Sequence, residues 1–336
     1  MSLEQYANFS NYAVASATIV LALACLAYLA EWAFTRQVSS ARRQARRRQK
    51  ALLRDRESVS VGAVSVEVAA TTSEPDKAEE ASYRQEVAGR LGLLLTILAF
   101  ALLVAGAITR SLATGELRPP WGNMYEFSMM GIIAVLGFFL VMVKLAGVNW
   151  LGGIVTGFGV IVLGLSMLVY VPAGPLVPAL DSYWLVIHVI AAMLASGAFA
   201  VGAALSILYL VRARAEANAD EDSDRDGYIW KLPAASVMDR ISYRVHAFAF
   251  PVWTFAALIA GPIWAHHAWG RAWGWDPKEV WAFITWVAYA GYLHARATAG
   301  WKGKSAAILA LVAFSTLVFN YVGVNLFIDG LHSYAK

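Results

Sequence analysis

Six histidines and a dense group of tryptophans are the residues of this chain best equipped for chemistry. The imidazoles are His188, His246, His266, His267, His294 and His332. Trp264, Trp269, Trp273, Trp275 and Trp281 crowd into residues 264–281, with Gly270 and Gly274 between them. Neutral imidazole is the commonest protein metal ligand. Each indole offers a flat apolar face with one donor at its tip, and the glycines permit tight turns and close backbone approach. Such a surface suits a large planar aromatic ligand with polar edges. The competing reading is an interfacial belt, the usual work of Trp and Tyr at a membrane boundary. Asp276–Pro277–Lys278–Glu279 follows. An Asp cap, Pro at the first helical position and Glu three residues after the cap satisfy free backbone donors, while Lys278 and Arg271 are natural partners for a carboxylate. The single Cys25 lies in an apolar run. An internal disulfide, a CxxC redox pair and covalent haem attachment to this chain are thereby excluded.

The elements that position these residues are membrane helices. The 336 residues are 59% hydrophobic and 15% charged, against roughly 25% charged in a soluble domain. A spanning helix needs about 20 apolar residues to cross roughly 30 Å of hydrocarbon. Eight segments meet that length, beginning near Asn11, Arg90, Tyr125, Trp150, Tyr183, Tyr243, Val280 and Ala306. The expected fold is all-α and polytopic, with about eight transmembrane helices. No basic residue precedes the first segment and its apolar core is long, so it reads as a span and not a cleavable signal. Loops 34–90, 144–149, 212–245 and 296–305 hold 22 of the 27 basic residues, leaving Arg110, Arg118, Arg271, Lys278 and Lys336 opposite. The positive-inside rule makes the first set cytoplasmic and puts both termini outside. Three regions result: a first span in 1–35, a cytoplasmic loop in 36–89, and a seven-helix domain in 90–336 that carries the Trp loop 264–281.

The loop 36–89 opens with the basic run Arg42 to Arg48 and turns acid-rich from Glu74 to Glu80. It reads as a topology anchor followed by a disordered linker, with a lipid-binding basic stripe as the alternative. Asp222, Asp224, Asp226 and Gly227 copy half of a calcium loop, but Pro233 stands where the bidentate Glu belongs, so a solvated acidic linker is expected. The outer loops carry Pro119, Pro120, Trp121, Asn123, Tyr125 and Glu126 before the third span, and Pro172, Pro175, Pro178, Asp181, Tyr183 and Trp184 before the fifth.

Depth arguments sort the histidines. His188 lies about 7 Å below the outer end of the fifth span by helical rise, and His332 follows the eighth on the same side. Two histidines from distant sequence thus reach the level of the Trp loop. Two neutral imidazoles at such a platform are what a bis-His haem iron requires; satisfied core or interfacial histidines are the alternative. His294 lies roughly 21 Å down the seventh span. It is either an inner-interface residue snorkelling to water beside Arg296 or a second, deeper iron ligand. His246 reads as an inner interfacial residue.

The run Trp269–Gly–x–x–Trp273–x–Trp275–Asp276–Pro277–Lys278–Glu279, with Trp281, resembles the tryptophan-rich "WWD" signature of haem-handling proteins, and among them the CcsA/ResC family of system II cytochrome c maturation. Ser182–Tyr183–Trp184–Leu–x–x–His188 is similar to the segment holding the family's first outer ligating histidine. Leu293–His294–x–Arg296 is similar to its transmembrane histidine, and Gly330–Leu–His332–Ser–Tyr334 to its second outer one. Asn123, Tyr125 and Glu126 match a further family motif. The likeness covers residues 90–336; at His266 and His267 the family carries other polar residues.

That resemblance implies a haem-binding set of His188, His332, His294, Trp269, Trp273, Trp275, Asp276 and Lys278, with iron held by His188 and His332, and at the deeper position by His294. It implies haem b, bound non-covalently in transit, a Ccs1/ResB-type membrane partner, CxxCH apocytochromes as substrates, and a bacterial cytoplasmic membrane with the haem site on its extracytoplasmic face. No catalytic residue is assigned and no nucleic acid is expected. The chain reads as one subunit of a cytochrome c synthase. A haem exporter without attachment activity and a b-type electron-transfer subunit are the rival readings.

Overall fold

The computed structural model describes residues 1–58, 73–115, 118–175, 182–219, 228–298 and 300–332. Among the described residues the chain is helical, with no strand. Its main helices are α1 (Leu3–Ser58), α2 (Ser73–Ala113), α3 (Met124–Ala146), α4 (Gly152–Ser166), α5 (Tyr183–Ala217), α6 (Ala235–Trp269), α7 (Pro277–Ala297) and α8 (Lys304–Phe327). α6 and α8 each contain one π-helical turn, at Ala256–Ala260 and Phe319–Gly323.

Seven of these helices are long and apolar enough to cross a membrane, and α7 is the exception. Its 21 residues are nonetheless about 31 Å long at 1.5 Å each. Trp281, Trp286, Tyr289, Tyr292 and His294 lower its hydropathy, and its charges, Lys278, Glu279 and Arg296, sit at its ends. The contacts at those ends show its course. Asp276 meets His332 beyond α8 at 2.7 Å, whereas Arg296 pairs with Asp239, near the start of α6, at 2.7 Å. Gly303, just before α8, also donates to Asp239. α7 therefore runs the full height of the bundle beside the seven apolar helices, where the sequence suggests an eighth apolar span. The protein is a multi-pass membrane protein.

Helices run beyond the apolar stretches, past the end of the first and ahead of the start of the second. Residues 36–58 and 73–89 belong to α1 and α2, where an unstructured loop is expected from composition. The calcium-loop-like stretch 222–227, Pro178, Asp181 and Lys336 fall outside the described residues.

Lipid tails are as apolar as Leu, so helices in a membrane associate through close packing of small residues. α4 crosses α1 at Gly152, where an added Cβ would lie 2.1 Å from the Tyr28 ring. α3 crosses α5 at Gly197, whose Cβ would meet the Ala134 carbonyl at 2.9 Å. α5, rich in Ala and Gly, is the central helix: 61% of its apolar stretch is buried, against at most 39% elsewhere. Helix starts are capped by side chains. Asn123 accepts from the Glu126 amide, Ser182 from that of Trp184, and Asp276 with Glu279 forms a capping box on α7. At the end of the bundle that holds these caps, Glu126 is fully buried between two cations. Arg110 Nε donates to it at 2.9 Å and Arg118 Nη1 at 3.0 Å, and the two guanidinium groups also bond the carbonyls of Val171 and Gly174.

Candidate functional site: a cavity between two histidines

A cavity of about 150 Å³ opens among α3, α5, α6, α7 and α8 at this same end. Both π-helical turns border it, through Ala256 and Ala257 on α6 and Asn320 and Tyr321 on α8. The first has a visible cause. Pro262 has no amide hydrogen and its ring would strike the carbonyl four residues back in a regular α-helix, so the turn before it opens and Gly261 bonds Ala256 instead. Wide turns of this kind recur at functional sites.

His188 hangs from the first turns of α5, and its Nδ1 lies 2.9 Å from the Ala256 carbonyl. A carbonyl only accepts, so the proton sits on Nδ1 and the lone pair on Nε2. His332 arrives from beyond α8, and its Nδ1 lies 2.7 Å from Asp276 Oδ1. The same reasoning puts its proton on Nδ1.

Asp276 is the hinge of the arrangement. Its Oδ1 also caps α7 through the Lys278 amide at 3.0 Å, and its Oδ2 accepts the Leu331 amide at 2.6 Å. Gly330 permits that docking, since a Cβ there would meet Oδ2 at 2.5 Å. Burial pushes the Asp276 carboxyl up, but the hydrogen bond and charge of His332, with the Leu331 and Lys278 amides, outweigh it and hold the group below the usual carboxylate range. Glu279 works alongside, accepting the amides of Gly274 at 2.8 Å and Asp276 at 3.0 Å. These bonds clamp both sides of Trp275, whose φ of 56° is rare for a bulky residue.

Trp264 links the two histidines. Its indole is nearly parallel to the His188 ring, with centroids 5.9 Å apart, and lies 5.7 Å from that of His332. Trp269 meets His332 edge-on at 5.0 Å.

Of the residues singled out from the sequence, His188, His332, Trp269, Trp273 and Lys278 line one cavity, with Asp276 behind His332. Trp275 is 70% exposed and meets Trp273 edge-on outside the lining. Arg271 is exposed and packs over Gly274. His266 and His267 are exposed and contact each other. His294 lies toward the opposite end of α7, exposed on the side of the helix away from buried Tyr289 and Tyr292. The interfacial reading of His246 is overturned: it is fully buried, packed against Phe199, Tyr289 and Tyr292. Trp253, Asn320 and Asn325 line the cavity without having been singled out. The two amides carried a signal, since polar side chains inside apolar spans turn toward cavities or the bundle interior.

Residues 121–332 match a family model described as cytochrome C assembly protein. The chain is 36% identical over 259 residues to the cytochrome c biogenesis protein CcsA of Guillardia theta, covering 73% of this chain and 85% of that one. It is 34% identical over 290 residues to the CcsA of Synechococcus elongatus, with 73% and 86% covered. For the CcsA of Mesostigma viride the values are 35% over 236 residues, with 64% and 77% covered. The matched span begins at Trp121, which lines the cavity, and ends at His332, one of its two histidines. The chain is thus a multi-pass membrane member of the CcsA family of cytochrome c assembly proteins, with its role in cytochrome c biogenesis.

Proposed function

We propose that this cavity takes up haem, with His188 and His332 as the two axial ligands of one iron, and that the chain presents it to apocytochromes carrying CxxCH. The observation that carries the reading is the pair of imidazoles, from distant parts of the matched region, meeting one indole in one cavity with each Nδ1 committed to an acceptor. Fixing the second ring nitrogen in this way is how proteins orient a ligating histidine. Trp264 packs aromatic surface against both rings, and the lining is mostly apolar with Lys278 among it, a composition usual for cofactor sites. Lys278 supplies the charge for a propionate.

Attachment needs no thiol from this chain; Cys25 sits in α1 against the Gly153 carbonyl. Each substrate cysteine adds S–H across a vinyl double bond: a C–S bond forms, the proton goes to the other carbon, and no electrons are exchanged with an outside partner. The protein's share is to position haem b, held non-covalently in transit, and to keep its iron ligated. The substrate's own histidine then replaces one axial ligand. A Ccs1/ResB-type subunit completes the synthase of system II, and the Trp269–Trp275 loop is its WWD element. Co-expression with that partner and a CxxCH substrate yields a covalent product; haem export without a covalent product makes the chain an exporter instead.

His294 serves this path from the deeper side. It stands on a lipid- or partner-facing stripe with Ile284, Val287 and Gly291, and an ionisable group on an apolar membrane face is a functional candidate. It ligates haem on entry, opposite a ligand from the partner. His294→Ala lowers haem content of the two-subunit complex and imidazole restores it; unchanged content returns His294 to the interface.

The charge distribution supports a cavity on the outer face of the membrane, taken here as a bacterial cytoplasmic membrane, since only five of 27 basic residues are expected on that side. A reporter active only after export works when fused after Gly274, and one active only in the cytoplasm works after Asp222. The reverse pattern sinks the assignment of the face.

A further inference from the structure

Eight buried side-chain polar atoms lack a hydrogen-bond partner among the described residues, and two of them belong to neighbouring rings in the inner half of the bundle: His246 Nε2 and Tyr289 Oη. Their rings are 5.5 Å apart, and both residues are fully buried. Both side chains are held by packing. His246 Nδ1 donates to the Ser242 carbonyl at 2.8 Å, which puts the lone pair on Nε2. Gly202 seats the ring so closely that a Cβ would lie 2.6 Å from it. Tyr289 is stacked on Phe199 at 3.6 Å with 10° between planes, which fixes the direction of its hydroxyl. A donor and an acceptor left open this deep are costly, and internal water is the usual remedy where two or more polar groups converge.

Polar groups continue from this pair toward the inner end. Ser242 Oγ bonds Ser206 Oγ at 2.9 Å, the Tyr292 ring lies 5.0 Å from that of His246, and the Arg296–Asp239 pair follows one turn further along α7. Thr285, Tyr289, Tyr292 and Arg296 recur at helical spacing, so one face of α7 carries hydroxyls down to a charged pair at the boundary.

We propose that a water molecule bound between His246 and Tyr289 is the innermost of a short file of waters entering from the Arg296–Asp239 end, and that His246 exchanges protons with the aqueous phase on that side. Each transfer breaks one O–H or N–H bond and forms another, with no electron moved. The groups facing the imidazole are Tyr289 and Tyr292 from α7, with Arg296 and Asp239 beyond them; α5 contributes Ser206, Gly202 and Phe199, none of them charged. The proposal does not rest on the haem reading, because no haem is needed to test it.

Deuterium exchange at the imidazole carbon between the two nitrogens, followed by mass spectrometry of the haem-free chain in detergent, reports water access and titration of each histidine. Exposed His266 and His267 are the internal standards. The expected result is measurable exchange at His246 with a sigmoidal pH profile, despite its burial, and loss of most of that exchange in Tyr289→Phe, which removes only the hydroxyl. Radiolytic labelling provides the second measurement: Tyr289 is oxidised by a neighbouring water, whereas buried Phe199 is not. No exchange at His246 over the time in which His266 and His267 exchange fully, or an unlabelled Tyr289, overturns the proposal.

Discussion

His188→Ala and His332→Ala are each expected to abolish the proposed attachment to CxxCH substrates while the chain still inserts and folds. Each removes one nitrogen from the proposed iron and opens one coordination position, so the absorption spectrum of the purified haem complex shifts, and added imidazole restores it. The two substitutions are not additive, because an iron missing one axial ligand already fails to be presented correctly. His266→Ala and His267→Ala change neither spectrum nor attachment, since both side chains are exposed and outside the cavity lining. A spectrum lost on removing His266 or His267, and kept on removing His332, would refute the ligand pair. Asp276→Asn gives a graded version of the same result. It retains an acceptor near the Leu331 amide but loses the charge that orients His332, and outer-shell changes of this type cost about 10–100-fold in metal affinity. The sign of its pH dependence follows from the depressed carboxyl. The stabilisation is fully present above the ordinary value of 3.8 and is lost as pH falls through the lower folded value. Between pH 5 and 8, roughly the usual stability range, Asp276 keeps its charge and haem loading does not vary on its account.

Much of this arrangement was legible in the sequence because it rests on local rules. Asp276–Pro277–Lys278–Glu279 reads as a helix start from capping chemistry alone, and α7 begins there. The histidines sort by depth because helical rise and span order are nearly fixed in a bilayer. Contacts between distant elements were not legible. Nothing local says that Asp276 would reach past its own helix to hold His332, or that Trp264, the least distinctive indole of the group, would touch both histidines. Trp275 shows the reverse error. Its place in the motif suggests the ligand platform, yet the Glu279 clamp turns its ring outward to 70% exposure. His246 was misjudged because depth alone cannot tell the boundary-facing side of a helix from its buried side. The periodicity of α7, with its hydroxyl face turned inward, reverses the usual amphipathic rule and lowers the hydropathy by which a span is recognised.

Glu126→Ala has the largest expected effect on stability. Asn123, Tyr125 and Glu126 stand out in the sequence as a short polar motif, and burial explains why the carboxylate matters. Glu126 and Arg110 have no exposed surface, and Arg118 is 7% exposed. One anion between two cations leaves a net positive charge already inside the protein, and two donors, Arg110 Nη1 and Arg118 Nε, have no partner among the described residues. The carboxylate also accepts the Gly122 amide at 2.9 Å, and its own amide is held by Asn123. Removing it strands two guanidinium groups and opens the turn that carries Trp121 and Asn123, both in the cavity wall. Breaking a buried pair from one side costs about 3–5 kcal/mol, far more than a surface ion pair contributes. The measurement is the unfolding midpoint of purified protein in detergent, with haem content read alongside. Adding Arg110→Met to Glu126→Ala removes one stranded cation and recovers part of the loss, a non-additivity expected only of residues in direct contact. Equal midpoints for wild type and Glu126→Ala, or strict additivity with Arg110→Met, show that the network does not hold this end of the bundle together.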